Sequence, residues 1–158
     1  MDESQLREHD EAGFELKRFV QTLRIRLNGA AVIESKLLTP KIVLTSIVPD
    51  AAKASPVSVV ELGDRELIVN VAGGRWELSR NIDSVDFFKS VVESAIKGDV
   101  RETFGLERVD TRITFSDGTF VTTTTRTLGG IIPTPGWRHW GRKVRYEPYL
   151  SDNSLSLE

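Results

Sequence analysis

A strongly amphipathic segment, residues 83–97, lies between two β-hairpin signals and constrains this chain more than any other feature. Val85, Phe88, Val91, Val92, Ala95 and Ile96 recur at the spacing that gathers them on one side of a helix. Gly73-Gly74 precedes that run and Ser116-Asp117-Gly118 follows it, each flanked by β-formers. A helix with one apolar face and strands with one apolar face bury both by packing together, which implies an α+β fold.

The strands are placed by their turns. Val57–Leu62, a Gly63-Asp64 turn, Glu66–Ala72, the Gly73-Gly74 turn and Arg75–Ser79 predict a three-stranded meander. Asn81 or Asp83 is positioned to cap the following helix, and Gly98 to close it. Beyond it Val100–Phe104, Asp110–Phe115 and Thr119–Thr127 read as strands, with a last one at Lys143–Tyr146. The run Thr122–Thr125 suits an extended backbone with one solvated face, because β-branching favours strands.

The N-terminal third is less regular. Residues 2–15 carry six carboxylates against Arg7. Leu16, Phe19, Val20, Leu23 and Leu27 then follow helical spacing, while Leu23, Ile25 and Leu27 also alternate with Arg24 and Arg26 as a strand would. A helix is expected to about Leu23, continuing either as helix or as a strand. Residues 30–57 are punctuated by Pro40, Pro49 and Pro56, and yield one expected strand at Ile42–Ile47. The expected architecture is a mostly antiparallel sheet of about six strands. The 83–97 helix and the N-terminal helix cover one face. Residues 1–150 form a single domain, Gly129–Pro135 a loop, and 151–158 a disordered tail.

Composition narrows function mainly by exclusion. The net charge of -2 is not that of a dedicated nucleic-acid binder, although a local patch overrides a global average. With no cysteine, thiolate catalysis, disulfides and cysteine-based metal sites are ruled out. There is no basic-then-apolar leader and no membrane-length apolar run, so the default expectation is a cytoplasmic protein without membrane contact. His9 and His139 lack partners at ligand spacing, so no metal, cofactor or catalytic residue is expected. Asp83 with Asp86 reads as helix-capping chemistry, and Glu61, Asp64 and Glu66 as a solvated hairpin.

Most chemical character lies between Pro135 and Tyr149. Those fifteen residues hold two of the three tryptophans, both tyrosines, and four cations against one carboxylate. Trp137, Arg138, Trp140, Arg142, Arg145 and Tyr149 are the candidate contact residues. Aromatics mixed with Arg supply most hot-spot energy at protein interfaces. The same types stack bases and neutralise phosphates. Alternatively, the segment is an ordinary edge strand whose aromatics close the core.

Ala95-Ile96-Lys97-Gly98-Asp99-Val100, the Ser116-Asp117-Gly118 hairpin, and Pro135-Gly136-Trp137-Arg138 leading to Tyr146-Glu147-Pro148-Tyr149 carry a resemblance. Over about residues 76–150 the chain resembles small uncharacterised bacterial proteins, mainly actinobacterial, some encoded beside secreted toxins and regarded as candidate immunity proteins. The resemblance implies a binding role with no assigned target and no catalytic residue. The sequence leads first to a protein-interaction domain, such as an immunity-type neutraliser. Its alternatives are a nucleic-acid or phosphate-ligand module using residues 137–149, an enzyme with a carboxylate or His139 in a pocket, or a component of a larger assembly, such as a phage particle, that oligomerises through an open sheet edge.

Overall fold

The computed structural model describes residues 3–126 and 136–150, with side chains described from Glu11 onward. Helix α1 (Glu3–Arg26) runs through the ambiguous segment as helix. Burial explains that outcome: Leu16, Val20, Leu23 and Leu27 are buried, whereas Ile25 is 82% exposed. Those four share a helical stripe, while a strand would have buried Ile25 beside Leu23 and Leu27.

Strands β1 (Ala31–Thr39) and β2 (Ile42–Pro49) form a hairpin, followed by the meander β3 (Val57–Leu62), β4 (Glu66–Val71) and β5 (Gly74–Ser79). These pair in the order β1-β2-β3-β4-β5, antiparallel throughout. Helix α2 (Ile82–Lys97) begins at Asn81, whose side chain accepts a 2.9 Å hydrogen bond from the Ser84 N–H. Of the two candidate caps, it is Asn81 that serves. After α2 come β6 (Val100–Gly105), β7 (Arg108–Thr114), β8 (Phe120–Arg126), the single turn α3 (Trp137–Trp140) and β9 (Arg142–Arg145). The second sheet has the order β8-β7-β6-β9.

The expected single sheet of about six strands is therefore corrected to two antiparallel sheets, of five and four strands. Two physical reasons account for the difference. Strand β1 is mostly solvent-exposed, so the inward alternation that marks a half-buried strand is confined to Ala31 and Ile33 at its start. The sheets also meet without a shared ladder. Along the seam, Thr123 Oγ1 donates to the Arg75 carbonyl at 3.2 Å and Thr125 Oγ1 to the Gly73 carbonyl at 2.8 Å. Threonine side chains thus occupy the edge of β5 where backbone N–H groups would extend a sheet.

Both helices cover one side. Leu67, Val69 and Val71 of β4, Val57 and Val59 of β3, and Val100 and Ile113 of the second sheet pack into one core with α1 and α2. Phe88 stands at its centre, edge-to-face with Phe19 at 5.9 Å. Across the helix pair, Arg26 makes a two-pronged bond to Glu93 at 2.6 and 2.8 Å, which raises the Arg26 pKa. No helix among the described residues is long and apolar enough to cross a membrane. The expected 129–135 loop and the expected 151–158 tail lie outside the described residues.

Candidate anion-binding face

The six residues singled out in the C-terminal segment do not form one surface. Trp137 is buried, lying flat over Gly105, where an added Cβ would collide with the indole. Arg108 and Arg138 both stack against its ring, at 5.5 and 4.9 Å from the centroid. Tyr149 is buried in the main core, and its hydroxyl donates to the Ser55 carbonyl at 2.6 Å. Trp140 is 60% exposed. Arg142 lies over the Phe104 ring, on the same side of its sheet as Glu102 and Val144. Arg138 and Arg145 are exposed on the opposite side.

The residues that carry the resemblance pack against one another. The Tyr146 N–H donates to the Val100 carbonyl, and the Tyr149 N–H to the Ile96 carbonyl, both at 3.0 Å. Gly98 is doubly required: its φ of 77° caps α2 in the left-handed region, and Pro148 leaves no room for a Cβ. Tyr-Glu-Pro-Tyr is therefore a strap across the C-terminal end of α2, anchored at its other side by the Glu147 N–H to the Lys53 carbonyl. In this structure its role is to close the fold.

The strap has a consequence at high pH. Burial, first of all, raises the hydroxyl pKa of both Tyr146 and Tyr149 above the usual 10.0, and at Tyr146 the bond to Glu102 adds to it. A raised tyrosine stabilises the fold fully below its unfolded-state pKa, and that stability is lost as pH climbs through the folded-state value. Thermal melts should hold their midpoint up to about pH 9.5 and then fall steadily, less steeply in Tyr149→Phe. A midpoint indifferent to pH above 10.0 would contradict this account of the strap.

The outer side of the second sheet gathers cations from three strands. Along β6, Val100 and Glu102 point inward, which turns Arg101 outward. Along β7, buried Thr111 and Ile113 do the same for Arg112. Strand pairing then aligns Arg145 opposite Arg101, Arg101 opposite Arg112, and Arg112 opposite Thr122. Three arginines thus stand shoulder to shoulder across three strands. The next row is Lys143, Thr103, Asp110 and Thr124, followed by Arg108 opposite Arg126. Among the described residues, Asp110 is the one carboxylate on the strands of this side, and it already accepts from Thr124 at 2.7 Å and Arg138 at 3.3 Å.

Of the contact residues named from the sequence, Arg138 and Arg145 lie at this face, whereas Arg101, Arg112 and Arg126 are not among them. Strand parity around the Ser116-Asp117-Gly118 turn was a usable signal for Arg112 and Arg126. The alignment with Arg101 and Arg145 had none, because it depends on the register of β6 against both neighbours. Aromatic surface lies at the margin: Phe120 is half exposed beneath the Arg112 guanidinium, 3.7 Å from its ring centroid, and Trp140 projects from α3. No group of three or more His, Asp or Glu side chains among the described residues could hold a metal ion. No protein-family model, no curated protein and no solved structure matches this chain.

Proposed function

We propose that this chain is a non-enzymatic binding module whose four-stranded sheet takes a phosphate-bearing polyanion, single-stranded nucleic acid being the form that suits an open sheet face. The observation that carries the reading is the row Arg145–Arg101–Arg112. Like charges directly opposite on neighbouring strands destabilise a sheet, so this row works against folding unless an anion lies across it. Thr103 and Thr122 add hydroxyl donors between the cations. Phe120 and Trp140 offer rings for bases at the margin. The overall charge of -2 does not oppose this, since recognition depends on the local field within about a Debye length.

The test is a salt titration of a labelled short single-stranded oligonucleotide with the whole chain. Arg101→Ala, Arg112→Ala and Arg145→Ala combined should flatten the slope of log K against log salt by about 2, since each phosphate no longer neutralised removes roughly 0.7 from it. Lys17→Ala with Lys41→Ala, which remove cations from the cavity between α1 and the first sheet, should leave it unchanged. Absence of binding by the unaltered chain at low salt, or a slope indifferent to the three arginines, would end the proposal.

A second reading is favoured by Arg138 and Trp140, exposed beside the same face and of the types that dominate protein interfaces. It is the immunity-type role implied by the resemblance, with an acidic protein surface in place of nucleic acid. An acidic partner whose binding resists polyphosphate competition while the oligonucleotide fails to bind would select it.

A further inference from the structure

We infer that β1 is a self-pairing edge, through which two copies of this chain join their five-stranded sheets into one antiparallel sheet about a two-fold axis at Ser35. The inference is independent of the anion-binding face, which lies on the other sheet.

Strand β1 is an outer strand of its sheet and nine residues long. The Asp50 N–H donates to the Ala30 carbonyl across the β1–β2 hairpin. Antiparallel pairing alternates, so the even-numbered residues of β1 bond to β2, and Ile33, Ser35 and Leu37 direct their N–H and C=O groups to the open side. No backbone partner for them lies on that side among the described residues. The Ser35 side chain is meanwhile held inward, with its hydroxyl 2.9 Å from that of Thr45 and bonded by Arg24 at 3.3 Å. Its backbone is left to face outward.

Natural edges are usually protected, by brevity, proline or scattered charge. This one is long, has no proline, and exposes Val32, Leu37 and Leu38, its single irregularity being a register shift at its far end, between Leu37 and Thr39. Its only charges are Glu34 and Lys36, which flank Ser35 symmetrically and, within one copy, form an exposed and therefore weak pair at 3.4 Å that a second copy can exchange for two. An antiparallel second copy centred on Ser35 sets Glu34 opposite Lys36 of that copy, and Lys36 opposite its Glu34. The same register sets Ile33 opposite Leu37 and brings Val32 toward Leu38 at the register shift, so the exposed apolar side chains gain apolar neighbours. Ser35 meets its own copy as a hydrogen-bonded pair, which a two-fold axis permits. Shifting the axis by one residue, to Glu34 or Lys36, places like charges on it. The charge pattern therefore selects one register, and that register is the one matched by the apolar residues and the outward-facing amides.

The test is the association state of the whole chain by sedimentation over a range of concentrations, with charge reversals. The unaltered chain should dimerise. Lys36→Glu and Glu34→Lys should each weaken the dimer on the order of tenfold or more, because each reversal converts two symmetry-related attractions into repulsions. The double variant Glu34→Lys with Lys36→Glu should restore it. Far-UV circular dichroism of each single variant establishes that the hairpin still folds. Because the chain has no cysteine, Ser35→Cys gives a unique thiol on the axis. It should form a disulfide-linked dimer, while Val32→Cys, displaced from its own copy along the strands, should not. A chain that stays monomeric up to about 1 mM would overturn the inference. So would a dimer insensitive to both single reversals, or one that the double variant fails to recover.

Discussion

Glu102→Ala is expected to destabilise the fold by about 3–5 kcal/mol, a large share of the roughly 5–15 kcal/mol a domain of this size possesses. Glu102 is 3% exposed, yet every described bond to its carboxylate comes from a different part of the chain. Its Oε1 accepts from the Gly73 N–H at 2.7 Å and from Thr111 Oγ1 at 3.2 Å, and its Oε2 from the Tyr146 hydroxyl at 2.6 Å. Gly73 belongs to the β4–β5 turn, Thr111 to the second sheet, and Tyr146 to the C-terminal strap. One side chain therefore joins both sheets to the strap. Removing it leaves three donors without an acceptor in a site water does not readily reach, each worth about 1–3 kcal/mol and together less than their sum. Glu102→Gln retains the volume and one oxygen, so about 1–2 kcal/mol is expected. Urea unfolding measures both. If Glu102→Ala cost under about 1 kcal/mol, the junction would have to be held by the seam threonines alone.

Phe88→Ala should cost a comparable 3–5 kcal/mol by a different route, the loss of buried apolar area and the cavity left behind. Phe88 is 0% exposed and forms a T-shaped pair with Phe19 at an interplanar angle of 85°. The contact ties α2 to α1, whose remaining described links to it include the exposed Arg26–Glu93 pair and Lys89 bonded to Glu15 at 3.3 Å. The Arg26–Glu93 pair is exposed and contributes little, and the single-pronged, partly buried Lys89–Glu15 pair adds modestly, so the docking of α1 depends chiefly on the apolar contact. Phe88→Leu, which fills part of the space, should recover more than half of the loss. A Phe88→Ala variant whose urea midpoint shifts no more than that of a surface alanine substitution would mean that α1 and α2 do not share a core.

The two predictions differ in how visible their residues were beforehand. Phe88 could be read from periodicity, because helical spacing alone forces it onto the same side as Val85, Val91 and Val92. Glu102 could not: in sequence it is one carboxylate in a strand that also carries Arg101. Its burial follows from strand parity, but its partners are Gly73, Thr111 and Tyr146, separated from it by up to 44 residues. The threonine run shows the same division. β-Branching accounts for its extended backbone, whereas the bonds from Thr123 and Thr125 to the β4–β5 region exist only because two sheets meet there.

Local periodicity, turn glycines and capping chemistry were enough to establish the α+β class, the meander, the second helix with its caps, and the last hairpin, because each is decided by interactions within a few residues. Four further features required the tertiary structure: the division into two sheets, the burial of Trp137 and Tyr149, the arginine row, and the open edge at β1. Each depends on which strands become neighbours and in what register. That choice is made by the whole core at once, through contacts between residues far apart in the chain, and no short window of sequence contains it.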